Sequence, residues 1–222
     1  KDRFGAEIRT HYPVELADEI AVIRQEAHFS AEVPDHIVEI LARFTRQLRE
    51  SSAVDQRSGV SARFSIAGVE TIAAAALHRA TVQGEEAAVA RVIDVETAVD
   101  VLGGKVEFET GEEGREAEIL QHLLRKATAE TVRSRLAGID MGLLVAAIEH
   151  GASITTGEQV TAKDFLAGLP ALSEAPVYDE ICARLHATSA GERASAIELA
   201  LEGLFLARKV DKDAEVGAVV YG

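Results

Sequence analysis

Thirty-eight of the 222 residues are alanine and only four are proline. Alanine loses least on entering a helix and proline most, so this chain goes helical wherever an apolar stripe has something to pack on. The stripes are present. Pro13 suits a first helical turn, and Leu16, Ile20, Ile23 and Ala27 follow at spacings of four, three and four. A second helix opens at Pro34-Asp35 and aligns Ile37, Val38, Leu41, Phe44 and Leu48. A third spans Ser65 to Gln83, with Val69, Ile72, Ala73, Ala76, Leu77 and Ala80 on its inner face, and Gly84 closes it. A shorter helix from Asp94 to Leu102 stops at Gly103-Gly104. Four helices make residues 1–104 a small bundle.

Beyond that boundary, residues 105–222 read as a second helical part. Val106 to Glu109 suggests a short extended piece, and Thr110 to Gly114 an acidic loop. Helices are expected over 115–136, over 141–150 with Asp140 as a cap, from Thr161 to Leu169-Pro170, and over 177–185. Ser189 and Glu192 have capping-box spacing and open a last long helix through Leu199, Leu201, Leu204 and Phe205. The tail, Val216 to Tyr221, alternates too weakly for an assignment. The expected fold class is mostly α.

Charge narrows the function. The formal net charge is −14, and residues 1–104 and 105–222 carry −6 and −8. Such a chain repels phosphate backbones and anionic lipid, which argues against nucleic-acid or membrane partners. No apolar run approaches the roughly 20 residues of a bilayer span, and no signal peptide precedes Asp2-Arg3-Phe4, so the expected compartment is the cytoplasm. The chain opens on Lys1 within a segment that reads as structured, as a piece of a longer protein would.

Catalytic constellations are scarce. No two of the seven histidines stand three to five residues apart, and none belongs to an H-E-x-x-H pattern, so no metal site is expected. Glu149-His150 falls at a helix end, where histidine is a favourable cap. The single cysteine, Cys182, reads as a packing residue. Gly59-Val60-Ser61 shares G-x-S with the hydrolase elbow, but Arg63 stands where the final glycine is required. Glu112-Glu113 lacks the calcium-loop ligand spacing and reads as solvated surface. Phosphate-loop and G-x-G-x-x-G motifs are both missing.

One stretch opposes the overall charge. Arg43, Arg46, Arg49, Arg57 and Arg63 face only Glu50 and Asp55, a local balance of +3. The last two arginines sit in a Gly/Ser loop leading into the third helix. Backbone N–H groups at a helix start, with arginine beside them, make a seat for phosphate. Arg43, Arg46 and Arg49 read instead as decoration of a helix surface.

Asp55-Gln56-Arg57-Ser58-Gly59-Val60-Ser61-Ala62-Arg63-Phe64-Ser65, followed by Glu70, resembles the lid region of AAA+ ATPases of the magnesium chelatase ATPase-subunit group. Asp2-Arg3-Phe4-Gly5 resembles the end of the AAA+ core. Gly104 to Glu109 and Leu201-Glu202-Gly203-Leu204 resemble the C-terminal extension of chelatase-related proteins. The likeness runs over essentially the whole chain. It implies an AAA+ helical lid bundle over 1–104 followed by a second α-helical C-terminal domain over 105–222.

The resemblance implies roles as well. Arg63 takes the place of the sensor 2 arginine that touches bound ATP, with Arg57 and Ser61 supporting the phosphate end. Arg3 takes the place of the catalytic arginine finger that reaches the neighbouring subunit's site, a group worth on the order of 10³–10⁵ in rate. The intact parent would bind ATP and Mg²⁺, form a homo-oligomeric, hexameric ring, hydrolyse ATP and remodel a partner carrying a von Willebrand factor A domain. Magnesium chelation is the activity the family name carries, although no residue here suggests a tetrapyrrole pocket. Walker A and Walker B elements are missing from the sequence, so this chain alone is expected neither to bind nucleotide tightly nor to hydrolyse it. The competing reading is an α-helical protein-interaction module that offers Arg43 to Arg63 to an acidic partner, with no nucleotide role.

Overall fold

The computed structural model describes residues 10–172 and 176–222. Among these residues the architecture is mostly helical. The helices are α1 Leu16–Glu26, α2 Asp35–Glu50, α3 Ala62–Gln83, α4 Val92–Leu102, α5 Glu116–Arg135, α6 Gly142–Glu149, α7 Ala162–Ala167, α8 Val177–Arg184 and α9 Ala190–Leu206. A 3-10 turn, Gly103–Lys105, follows α4.

Helix α2 is the central strut. Its apolar stripe widens into a largely buried cylinder: Ile37, Val38, Ile40, Leu41, Phe44 and Leu48 are all fully buried. Helices α1 and α3 pack on it, and α5 packs along it from the far side of the 3-10 turn. Gly68 is what lets α3 come close. A Cβ there would lie 2.9–3.0 Å from the two methyl carbons of Leu41, so alanine would push the helices apart. Helix α9 packs against α5, α7 and α8, and its inner face, Ile197, Leu199, Ala200, Leu201 and Leu204, continues the same core.

Local signals place most helix ends. Thr161 accepts a hydrogen bond from the Asp164 N–H at 3.0 Å, and Ser189 with Glu192 forms the reciprocal capping box. Asp140 stands one residue earlier than a cap position, taking the Gly142 N–H at 2.8 Å. His150 closes α6, with its ring nitrogen 2.6 Å from the Ala146 carbonyl. Cys182 is buried on α8, and burial pushes its thiol pKa up.

Four helices among the described residues close with the same left-handed motif. The pairs Glu85 to Ala80 and Gly84 to Thr81, Ala152 to Ala147 and Gly151 to Ile148, Ala187 to Cys182 and His186 to Ala183, and Lys209 to Leu204 and Arg208 to Phe205 are its two backbone bonds. Gly84 adopts φ 69° freely, whereas His186 and Arg208 hold φ 57° against their own Cβ atoms. Arg208→Gly is therefore expected to raise stability by about 0.5–1 kcal/mol, net of the freedom glycine gives the unfolded chain. Urea unfolding of both proteins measures it. A loss would show that contacts of the arginine side chain outweigh its backbone strain.

The tail gains a role that its own pattern did not show. Residues Ile154–Thr156 form β1, Lys212–Glu215 β2 and Ala218–Tyr221 β3, in the order β1-β3-β2 and antiparallel throughout. Ile154 pairs with Tyr221 and Thr156 with Val219, so the inward side chains of β3, Val219 and Tyr221, meet the core. The extended piece near 106–109 makes only an isolated bridge, Phe108 with Val54. No helix among the described residues is long and apolar enough to cross a membrane.

Candidate functional site

The α3 start is built on a buried ion pair. Glu19 lies on the apolar stripe of α1, between Leu16 and Ile23, and its side chain is fully buried. Arg49 of α2 reaches it with two donors, at 2.6 and 3.1 Å, and Ser65 of α3 donates to it at 2.8 Å. One carboxylate thus ties three helices together. Arg49 also donates to the Val60 carbonyl at 2.8 Å and stacks 4.2 Å from the Tyr12 ring.

The loop before α3 is held from both sides. Gly59 donates to the Asp55 carbonyl, Asp55 to the Glu107 carbonyl and Glu109 to the Ala53 carbonyl, at 2.9–3.0 Å. Ser58 donates to the Glu107 carboxylate. Arg57 is spent within the turn. Its backbone N–H and guanidinium both bond Asp55, and these contacts hold the Asp55 carboxyl below the usual range.

Helix α3 then starts without a side-chain cap. Ser61 occupies the N-cap in extended conformation, and its exposed hydroxyl makes no cap bond. The N–H groups of Ala62 and Arg63 have no partner among the described residues, while that of Phe64 donates to the Ser61 carbonyl at 3.0 Å. Arg63, one turn-start later, is exposed and has no hydrogen bond or ion pair with any described residue. Arg46 is half-buried and likewise has no partner among the described residues. Arg43 is engaged by Glu39 at 2.7 Å and Glu130 at 3.6 Å.

The arginine-rich stretch therefore splits. Arg49 is an internal strut rather than surface decoration, because Glu19 would otherwise be an unpaired buried charge. Arg43 and Arg57 are paired locally. Ser61 and Arg63 share the start of α3, while the Arg57 guanidinium turns to Asp55. Arg3 lies outside the described residues. What the arrangement can do chemically is receive an anion: N–H groups and a guanidinium without partners among the described residues, and a helix dipole, on a base braced by the Glu19–Arg49 pair.

Further charged clusters escape the sequence pattern, among them those around Arg79 and Arg91. Arg79 grips Asp94 at 3.0 and 3.1 Å, Glu85 at 2.7 Å and the Val89 carbonyl at 2.7 Å. Burial raises the Asp94 pKa in spite of that partner. Arg91, fully buried, links the start of α4 to Glu198 of α9, Thr156 of β1 and the Val160 carbonyl. Charged residues on otherwise apolar helical stripes, as Glu19 and Glu198 are, were the one available signal. Among the described residues no group of three or more His, Cys, Asp or Glu could hold a metal ion.

No family model, no curated protein and no solved structure matches this chain.

Proposed function

We propose that this chain is the lid and C-terminal extension of an AAA+ ATPase of the magnesium chelatase-like group. In this reading residues 1–104 end the core and form the lid, residues 105–222 form the extension, and Arg63 senses the nucleotide. The observation that carries it is the state of Arg63: exposed, unengaged by any described residue, and mounted at the uncapped start of α3. An arginine kept out of internal pairs on a braced loop serves something that arrives from outside.

The chain's own residues supply the anion-binding half of such a site. The guanidinium of Arg63 and the first N–H groups of α3 meet phosphate oxygens, and the Glu19–Arg49–Ser65 tie fixes their direction. Movement of the lid as a body then carries Arg63 to or from the nucleotide, which links occupancy to domain angle. Mg²⁺ and the attacking water belong to the core of the longer protein, since the residues here suit only phosphate. ATP supplies the free energy for remodelling. A hexameric ring, Arg3 as a finger in trans and a von Willebrand factor A partner are parts of the same proposal.

Steady-state ATP hydrolysis and nucleotide affinity of the core-containing protein test it, with Arg63→Ala against wild type. Loss of one charge-assisted contact is expected to weaken nucleotide-dependent turnover or affinity about 10- to 100-fold. The melting temperature should not change, because Arg63 supports nothing described in the fold. Unchanged turnover and affinity would overturn this reading. In that case weakened pull-down of an acidic partner by Arg63→Ala would identify an interaction module instead.

A further inference from the structure

The extended piece after the 3-10 turn is paired along one edge only. Val54 and Phe108 form an isolated antiparallel bridge, flanked by the Asp55 N–H on the Glu107 carbonyl and the Glu109 N–H on the Ala53 carbonyl, both at 2.9 Å. In a pair flanked this way, the N–H and C=O of the bridged residue itself point to the opposite edge. Those of Phe108 have no partner among the described residues. Val106 is extended as well, at φ −112° and ψ 128°. Side chains alternate between the faces of such a segment, so Val106 and Phe108 share one face and Glu109 lies on the other.

A cleft of about 740 Å³ lies between this segment, the end of α4 and the start of α5, and Ala53 to Asp55 take no part in it. Its apolar lining is Val106 and Leu120, 8 % and 5 % exposed, with Phe108 half-buried beside them. Gly103 and Gly104 line it with backbone alone. At about 30 Å³ per non-hydrogen atom, the share of one liquid water, the cleft holds about 25 such atoms, the size of Lys-Val-Lys.

The charged lining is all of one sign. Asp100, Glu109, Glu113 and Glu116 border the cleft, and no lysine or arginine joins them. The side chains of Asp100, Glu109 and Glu116 make no hydrogen bond or ion pair with any described residue. Glu113 takes the Gly111 N–H at 2.9 Å. Arg115 is engaged by Glu112 and Glu118, at 3.1 and 3.4 Å, and Lys105 is exposed outside the lining. Like charges around a cleft with low-dielectric walls concentrate their field on whatever enters it. Solvated carboxylates alone would need no partner. Here they surround apolar surface and an open strand edge, and an added strand satisfies both.

We propose that this cleft docks an extended basic segment of a partner protein, in which lysine or arginine alternates with an apolar residue. The segment pairs with the Phe108 N–H and carbonyl. Its apolar side chains pack on Val106, Phe108 and Leu120, and its cations meet Glu109, Asp100 and Glu116. The alternation follows from the two faces of the edge, one apolar and one acidic. The site uses none of Ser61, Arg63 and the α3 start, so it stands or falls independently of the nucleotide reading.

The test is a titration of the full chain, labelled with ¹⁵N and at low salt, with the end-blocked peptide Lys-Val-Lys-Val-Lys. Lys-Gly-Lys-Gly-Lys is the equally charged control. Saturable shifts centred on the Gly104, Phe108 and Thr110 amides are expected, with a Kd below about 1 mM. The glycine peptide should bind at least about tenfold more weakly, because it has no valines to bury. Asp100→Asn with Glu109→Gln, at side chains that support no described contact, should weaken the valine peptide about fivefold or more. Glu149→Gln with Glu180→Gln removes the same charge at exposed sites elsewhere and should change affinity by less than about twofold. The proposal is overturned by no saturable shift, by shifts scattered over the acidic surface, by equal binding of the two peptides, or by equal losses in the two double variants.

Discussion

Arg91→Ala is expected to lower the stability of this protein by about 3–5 kcal/mol, the typical cost of stranding one member of a buried ion pair. The side chain is fully buried at the start of α4. It donates through Nε at 3.0 Å and through Nη2 to Glu198 Oε1, through Nη1 to the Val160 carbonyl at 2.8 Å, and through Nη2 to the Thr156 hydroxyl. Phe165 covers the guanidinium, with its ring centre 5.6 Å away. Alanine would leave Glu198 charged in the core, where its other oxygen already lacks a partner. Arg91→Lys should recover little, because an ammonium cannot reach a carboxylate, a hydroxyl and a carbonyl in one plane. Arg91→Met combined with Glu198→Leu should cost less than the two single changes together. Urea midpoints of Arg91→Ala, Arg91→Lys, the two single changes and the double variant decide the matter. A cost for Arg91→Ala below about 1 kcal/mol, the range of exposed pairs, would mean that water reaches this cluster.

Acid is the second large perturbation. Burial first, and then the Arg135 charge, lower the His36 pKa from 6.5 to about 4, against the raising influence of Ser195, Asp35 and Glu198. The unfolded chain takes up this proton below about 6.5, and the folded chain only below about 4. The stability His36 contributes is thus complete above about 6.5 and is lost as pH falls from 6.5 toward 4. Over that window the loss approaches about 3 kcal/mol at 1.36 kcal/mol per unit. Asp94 and Glu96, raised by burial, act with the opposite sign, so a comparison of variants isolates the histidine. His36→Gln should flatten the curve of urea midpoint against pH between 6.5 and 4. Parallel curves for wild type and variant would show that His36 is already solvated or protonated in the folded state.

Helices were legible because their signals are local. The stripe of α2, the Gly84 stop, the Thr161 cap and the Ser189–Glu192 box each lie within one helical turn or two. The placement of Ser61 and Arg63 at the start of α3 was legible for the same reason, as a loop, a helix start and a basic residue in succession. Arg49 shows where local reading stops. By spacing it resembles Arg43 and Arg46, and only the approach of α1 makes it the partner of Glu19. The sheet was hidden too. A three-residue β1 carries almost no periodicity, and its pairing with Tyr221 spans some sixty-seven residues of sequence.

The sequence by itself determined that this chain is mostly helical, where its principal helices run, and that a basic helix start interrupts an acidic surface. Each of these follows from the preference of alanine and from spacings within a few turns. Tertiary structure alone decided which charges are interior and which remain available. Glu19, Arg79, Arg91 and Glu198 can be buried because each meets a partner from another segment, from 15 to 107 residues away. Arg63 meets none among the described residues. A charge enters a protein core only with its counterpart, and that counterpart is delivered by the packing of distant helices.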